Sequence, residues 1–96
     1  MTQRGAPDLV FDPAFLEDLI FFVSTEPRVA LKLLRLVAAT RRTPFAGEGK
    51  PEPLKRIGLD TWSRRITREH RLVYRVTAQR IVFLQARYHY GKSAKS

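Results

Sequence analysis

The sequence predicts a small α+β domain: a short N-terminal strand, two helices, then an antiparallel β-meander packed on the helices. Three observations predict it. Apolar residues recur at helical spacing between positions 13 and 37, three strand-like segments follow position 61, and the stretches "TRRTPF" (40–45) and "AGEGKPEP" (46–53) separate the two regions. With 96 residues the chain is long enough for one domain and too short for two. That domain is expected over 8–90, with 1–7 and 91–96 as flexible tails.

In "DLVF" (8–11), Leu9 and Phe11 share a face, which fits a short strand. "DP" at 12–13 reads as a helix start, with Asp12 as N-cap and Pro13 at the first helical position. The helix is expected to reach Val23 and to carry Phe15, Leu16, Leu19, Ile20 and Val23 on its apolar side. "STEP" (24–27) interrupts it, and Thr25 is expected to cap a second helix with Glu26 and Pro27 in its first turn. Val29, Ala30, Leu33, Leu34, Leu36 and Val37 form that helix's core stripe. "TRRTPF" ends it, and "AGEGKPEP" reads as a loop. The segments 62–67, 71–77 and 80–90 are rich in β-branched and aromatic residues and are parted by short polar turns, which predicts the meander. Alternation along the last strand sets Gln85, Arg87 and His89 on one face, and Val82, Leu84, Ala86, Tyr88 and Tyr90 on the other.

The net charge is +9, from 18 Lys/Arg against 9 Asp/Glu. Residues 1–40 hold four basic and five acidic side chains, whereas 41–96 hold fourteen and four. So steep an asymmetry points to a polyanionic partner, most simply a nucleic acid, over a merely solvated surface. With no Cys and two His, the chain has no disulfide framework and no thiolate metal site, and no metal or cofactor is expected. No signal segment opens the chain, and its longest apolar run, "LIFFV" (19–23), is too short to span a bilayer. A cytoplasmic protein with no membrane contact is expected.

Three stretches in the second half, "RRTPFAGEGKPEPLK", "WSRRITREHRLVYRV" and "RYHY", carry a resemblance. In order and spacing they resemble the YoeB/Txe family of toxins from type II toxin–antitoxin systems, within the RelE-like fold. The resemblance covers roughly residues 8–90; its first half matches only as a pattern of apolar positions. It implies a ribosome-dependent messenger-RNA endonuclease acting in the ribosomal A site, without metal or cofactor. It also implies a homodimer, and inhibition by a cognate YefM-like antitoxin whose acidic C-terminal segment covers the basic cleft. Operator DNA would be met only through the antitoxin complex. The family's catalytic positions match Glu52, Arg71, His89 and Tyr90 in this chain. Lys50, Lys55 and Arg65 match positions suited to RNA phosphates, and Arg64 is expected beside them on a phosphate-facing surface with Arg68 and Arg75. The chain departs from many relatives at "IGLDTW" (57–62), where they carry a Leu-Ser-Gly-aromatic segment, and in continuing six residues past Tyr90.

The chemistry is self-consistent without the family. RNA is cut when its own 2′-hydroxyl attacks the adjacent phosphate, leaving a 2′,3′-cyclic phosphate and a 5′-hydroxyl. That needs a base, an acid and cations on the phosphoryl oxygens, and DNA lacks the attacking group. Glu52 is the candidate base. Pro53 biases Glu52 toward extended backbone and Pro51 does the same to Lys50, so the loop is expected to be stiff. A carboxylate among cations is a weak base, so positioning and phosphate stabilisation would carry much of the rate. His89 is the candidate acid, Arg71 a candidate fork on the scissile phosphate, and Tyr90 a stacking or hydrogen-bonding group. Trp62 reads as core before base-stacker, and His70 as a turn residue with a structural role.

A second class of reading fits the same charge asymmetry. A non-catalytic RNA- or ribosome-binding module, or a transcription co-repressor of the same fold, would bind with salt sensitivity and leave no cyclic-phosphate product.

Overall fold

The structure, a computed structural model, describes residues 6–88; the expectations for the extreme N-terminus, His89, Tyr90 and 91–96 lie outside them. In chain order the elements are β1 (Asp8–Phe11), α1 (Pro13–Thr25), α2 (Pro27–Arg42), β2 (Glu52–Pro53), β3 (Thr61–Arg65), β4 (Arg71–Val76) and β5 (Arg80–Gln85). The α+β class holds, and β3, β4 and β5 form the antiparallel meander.

Asp12 caps α1 as expected: its Oδ1 accepts the Ala14 N–H at 2.9 Å, with Pro13 in the first turn. The helix runs two residues past Val23. The Ser24 and Thr25 hydroxyls donate back to the Ile20 and Phe21 carbonyls, so Thr25 closes α1 and does not cap α2. The cap position of α2 falls on Glu26, which makes no side-chain capping bond.

The sheet order is β1-β5-β4-β3-β2, and two of its pairings are absent from a plain meander. β1 pairs parallel with β5, from Asp8 opposite Arg80 to Phe11 opposite Phe83, so the sheet is mixed. β2 adds an edge to β3, with Glu52 opposite Ser63 and Pro53 opposite Trp62, where a loop was expected. An edge strand bonds on one side only, which is why a proline is tolerated there.

β5 stops at Gln85, short of the expected residue 90. Tyr74 pairs with Phe83 but Val73 pairs with Gln85, which leaves Leu84 as the extra residue of a β-bulge. Simple alternation therefore fails past Phe83. Ile81, Phe83 and Ala86 all reach the buried core, although Ala86 was expected on the opposite face from Gln85 and Arg87.

The core joins Phe15 and Phe22 of α1, Ala30, Leu33, Leu36 and Val37 of α2, and Leu72, Tyr74, Ile81 and Phe83 of the sheet. Burying each large apolar side chain contributes about 1.5–3 kcal/mol. Trp62 packs partly buried against this core, its ring 4.8 Å from Phe45. α1 meets the core through Phe15, Leu19 and Phe22. The adjacent row Leu16, Ile20 and Val23 is 44%, 64% and 56% exposed, and Leu34 of α2 is exposed as well. The expected apolar side took in Leu16, Ile20 and Val23 and left out Phe22, which is fully buried, because only one row can face the sheet. Among the described residues no helix is long and apolar enough to cross a membrane.

Candidate active site

Strand register places the candidate residues. On the sheet face away from the core cluster, Glu52 lies opposite Ser63, Ser63 opposite Val73, and Arg65 opposite Arg71. The Arg71 Nε donates to Ser63 Oγ at 2.9 Å, and its Nη2 stands 3.7 Å from Glu52 Oε2. The Glu52 carboxylate is open to solvent, whereas the Arg71 side chain is only 17% exposed. With the carboxylate open to solvent, screening holds the pair to about 0–1 kcal/mol of stability, so the fold gains little from it.

Around this pair lies a cleft of about 410 Å³, lined by Lys32, Glu48, Gly49, Lys50, Glu52, Arg65 and Arg71. Four cations face two carboxylates there, which suits a polyanion. Lys32 comes from the half-buried edge of α2 and was not singled out by sequence reasoning, because on a helix it reads as one more solvated cation. Lys55 falls outside this cleft. It lies one turn further on, beside a separate shallow depression with Pro53, Leu54, Arg56 and Ile57.

The loop that delivers Lys50 and Glu52 is built on left-handed backbone. Gly47 has φ 101°, Gly49 φ 84° and Lys50 φ 49°. Lys50 is thus not extended as its following proline suggested: its N–H closes a turn on the Gly47 carbonyl at 3.2 Å, and only then does the chain straighten into β2. Gly49 is required twice over. A Cβ there would come within 3.0 Å of the Arg64 Cβ and 3.1 Å of the Arg65 carbonyl, and its φ disfavours any side chain. Its carbonyl accepts the Arg65 N–H at 2.8 Å, which pins the loop to β3.

Arg64 is not on the exposed surface where it was expected beside Arg65. It is fully buried, on the opposite side of β3 from Arg65. Its Nη1 donates to the Glu48 carbonyl at 2.8 Å, its Nη2 to the carbonyls of Thr43 and Ala46, and its Nε to the Tyr74 hydroxyl at 3.2 Å. Tyr74 in turn donates to the Pro44 carbonyl at 2.7 Å. Burial pushes the Tyr74 phenol above its usual range, although the neighbouring Arg64 opposes this, so it remains a donor. Strand alternation alone predicts Arg64 on the core side; the charge of "SRRIT" hid that signal.

The far side of the site is tied down as well. Asp18 Oδ2 accepts the N–H groups of Ala86 and Arg87 at 2.8 and 3.2 Å. The Arg71 N–H donates to the Tyr88 carbonyl at 3.3 Å, and the Tyr88 N–H donates to His70 Nδ1 at 2.8 Å. His70 is buried, edge-on to Phe22 and Tyr88, and accepts at Nδ1, so its proton sits on Nε2 near the Glu69 carboxylate. Burial lowers its pKa below the usual value, outweighing the opposing pull of Glu69. The peptide that leads into His89 thus leaves from beside Arg71; His89 and Tyr90 themselves lie outside the described residues.

The chain thus combines a two-helix, mixed-sheet α+β fold with an Arg–Glu pair set in a basic cleft. Residues 11–90 match the model of one family, the YoeB-like toxin of bacterial type II toxin–antitoxin systems. The Escherichia coli K12 protein named Toxin YoeB is 46% identical over 82 residues, covering 85% of this chain and 98% of that one. Among solved structures, a YoeB/ParE toxin from Agrobacterium tumefaciens superposes with a TM-score of 0.80 at 46% identity, covering 86% of this chain and 99% of that one. The Staphylococcus aureus YoeB dimer gives 0.80 and the YoeB–YefM complex from the same organism 0.75, each at 35% identity over 88% of this chain and 99% and 98% of theirs. The chain belongs to the YoeB-like toxin family.

Proposed function

We propose that this toxin is a ribosome-dependent messenger-RNA endonuclease that works without metal, by attack of the substrate's own 2′-hydroxyl. The observation that carries the reading is the Glu52–Arg71 pair, 3.7 Å apart at the wall of a cleft that also holds Lys32, Lys50 and Arg65. Glu52 is exposed enough to meet a 2′-hydroxyl and acts on it as base or orienting acceptor. Arg71, already held by Ser63, offers its remaining N–H groups to the scissile phosphate. Lys50, Arg65 and Lys32 hold neighbouring phosphates and stabilise the charge that builds on the phosphoryl oxygens. His89 supplies the proton to the leaving 5′ oxygen and Tyr90 supports the substrate. In the cytoplasm an antitoxin of the YefM kind, such as the one bound to the Staphylococcus aureus relative, lays an acidic segment over the cleft, and the toxin pairs as that relative does.

The decisive experiment is mass spectrometry of RNA ends after incubation with translating ribosomes. Intact toxin is expected to leave 2′,3′-cyclic phosphates, and Glu52→Ala, Arg71→Ala and His89→Gln to leave none or few. Undiminished cleavage by all three variants sinks the mechanism. Salt-sensitive ribosome binding with no new ends turns the reading to a binding module.

A further inference from the structure

We propose that Arg64 is a positioning residue for the cleft: from inside the fold its guanidinium orders the loop between α2 and β2, and so sets where Lys50 and Glu52 stand relative to Arg71. A guanidinium cannot shed its charge, and burying one is costly unless its donors are bonded. Here its bonds run to neutral oxygens: three loop carbonyls, of Thr43, Ala46 and Glu48, and the Tyr74 hydroxyl. Tyr74 adds a fourth loop carbonyl, that of Pro44. A residue on β3 and one on β4 therefore hold four carbonyls of a segment with no regular structure of its own.

The need for such a grip is visible in the backbone. Gly47, Gly49 and Lys50 all sit in the left-handed region within four residues, and Lys50 does so with a side chain. Backbone of this kind persists only where its surroundings over-determine it. Two residues further on is Glu52, and Arg71 is on β4, three residues before Tyr74 and so on the other face of the strand. Arg64 and Tyr74 thus grip the loop from strands whose other faces carry Ser63 and Arg71. The loop brings Glu52 within 3.7 Å of Arg71 because it is held by the strands that carry Ser63 and Arg71.

The test uses the full chain with Arg64→Lys and, in case that variant does not fold, Tyr74→Phe. Lysine keeps the charge but spans fewer carbonyls; phenylalanine leaves Arg64 in place and removes the hydroxyl that bonds both Arg64 and Pro44. Two quantities are read. The first is hydrogen exchange at the amides of Ala46, Lys50 and Arg65, which bond the carbonyls of Thr43, Gly47 and Gly49. The second is cleavage on ribosomes. Faster exchange at these amides is expected, together with a kcat lower by roughly 10- to 100-fold and a KM within about twofold of the original, because misplacement of a base by an ångström costs that much rate while the binding cations remain. Ile81→Val, a core variant away from the loop, controls for general loss of stability and is expected to keep kcat. Unchanged exchange in the folded variants overturns the proposal, as does a loosened loop with kcat intact. The kinetic half rests on the nuclease reading of the cleft. If the unaltered toxin cuts nothing, that reading fails by itself, and the exchange measurement still decides whether Arg64 orders the loop.

Discussion

Ser63 Oγ accepts the Arg71 Nε–H at 2.9 Å, and the same serine lies directly opposite Glu52 across the β2–β3 ladder. One small buried side chain thereby sits between the two partners of the candidate site. Ser63→Ala removes the acceptor without adding bulk. Cleavage is expected to fall about tenfold, since a hydrogen bond to a charged group is worth about 1.5–3 kcal/mol and part of its loss is recovered by solvent. Single-turnover cleavage on ribosomes and a thermal melt check this together. A melt close to that of the unaltered chain with slower cleavage is the expected pair.

The four cations of the cleft predict a salt signature. Each phosphate neutralised on a single strand contributes about 0.7 to the slope of log K against log salt. Lys32→Ala, Lys50→Ala and Arg65→Ala are each expected to flatten that slope by about this amount, measured as binding of a short single-stranded RNA over a potassium chloride series. Lys55→Ala is expected to leave it nearly as it was, because Lys55 stands outside the cleft.

His70 predicts an acid-sensitive fold. Its folded pKa lies below the usual value of 6.5, so the unfolded chain takes up the proton first as pH falls. Stability from the neutral ring is fully present above about 6.5 and declines as pH drops from there toward the lowered folded value. Protonation also removes the Nδ1 acceptor from the Tyr88 N–H. Urea midpoints measured from pH 7.5 down to pH 5 are expected to fall in the unaltered chain. His70→Asn, which keeps an acceptor and cannot charge, is expected to show a shallower fall.

Asp18 predicts a link between α1 and the far end of the sheet. Its carboxylate holds two backbone amides, those of Ala86 and Arg87. Asp18→Ala leaves both without that acceptor and is expected to cost about 1–3 kcal/mol. Denaturant unfolding gives the loss, and faster exchange at those two amides locates it.

Local chemistry was readable in the chain, and long-range chemistry was not. Asp12 and Pro13 announced the start of α1 because a cap and its helix are neighbours in sequence. Pro53 after Glu52 announced an extended backbone there, and β2 has that geometry. The partner of β2 was hidden because a two-residue edge strand leaves no alternation to read. Arg64 was misplaced because its acceptors are main-chain carbonyls of residues 43–48, and a carbonyl leaves no mark on the residue letters. Lys32 was overlooked for a related reason: only the folded path of α2 brings it to the cleft. Leu16, Ile20 and Val23 look like core in sequence, yet apolar spacing cannot say which of two adjacent rows meets the sheet. The bulge at Leu84 then broke simple alternation among the described residues beyond Phe83.

The parallel pairing of β1 with β5 gives this fold a schedule. Ribosomal synthesis delivers β1 first, with its hydrogen-bonding edge bare and its neighbour still some seventy residues away in the message, as the partners Asp8 and Arg80 define. Loop closure over that span must await β5, so the sheet cannot be completed before residues 80–83 are available to β1. The strand that completes it is also the one that runs on toward His89. The bonding edge that β1 offers to β5 is therefore covered only once residues 80–83 have left the ribosome.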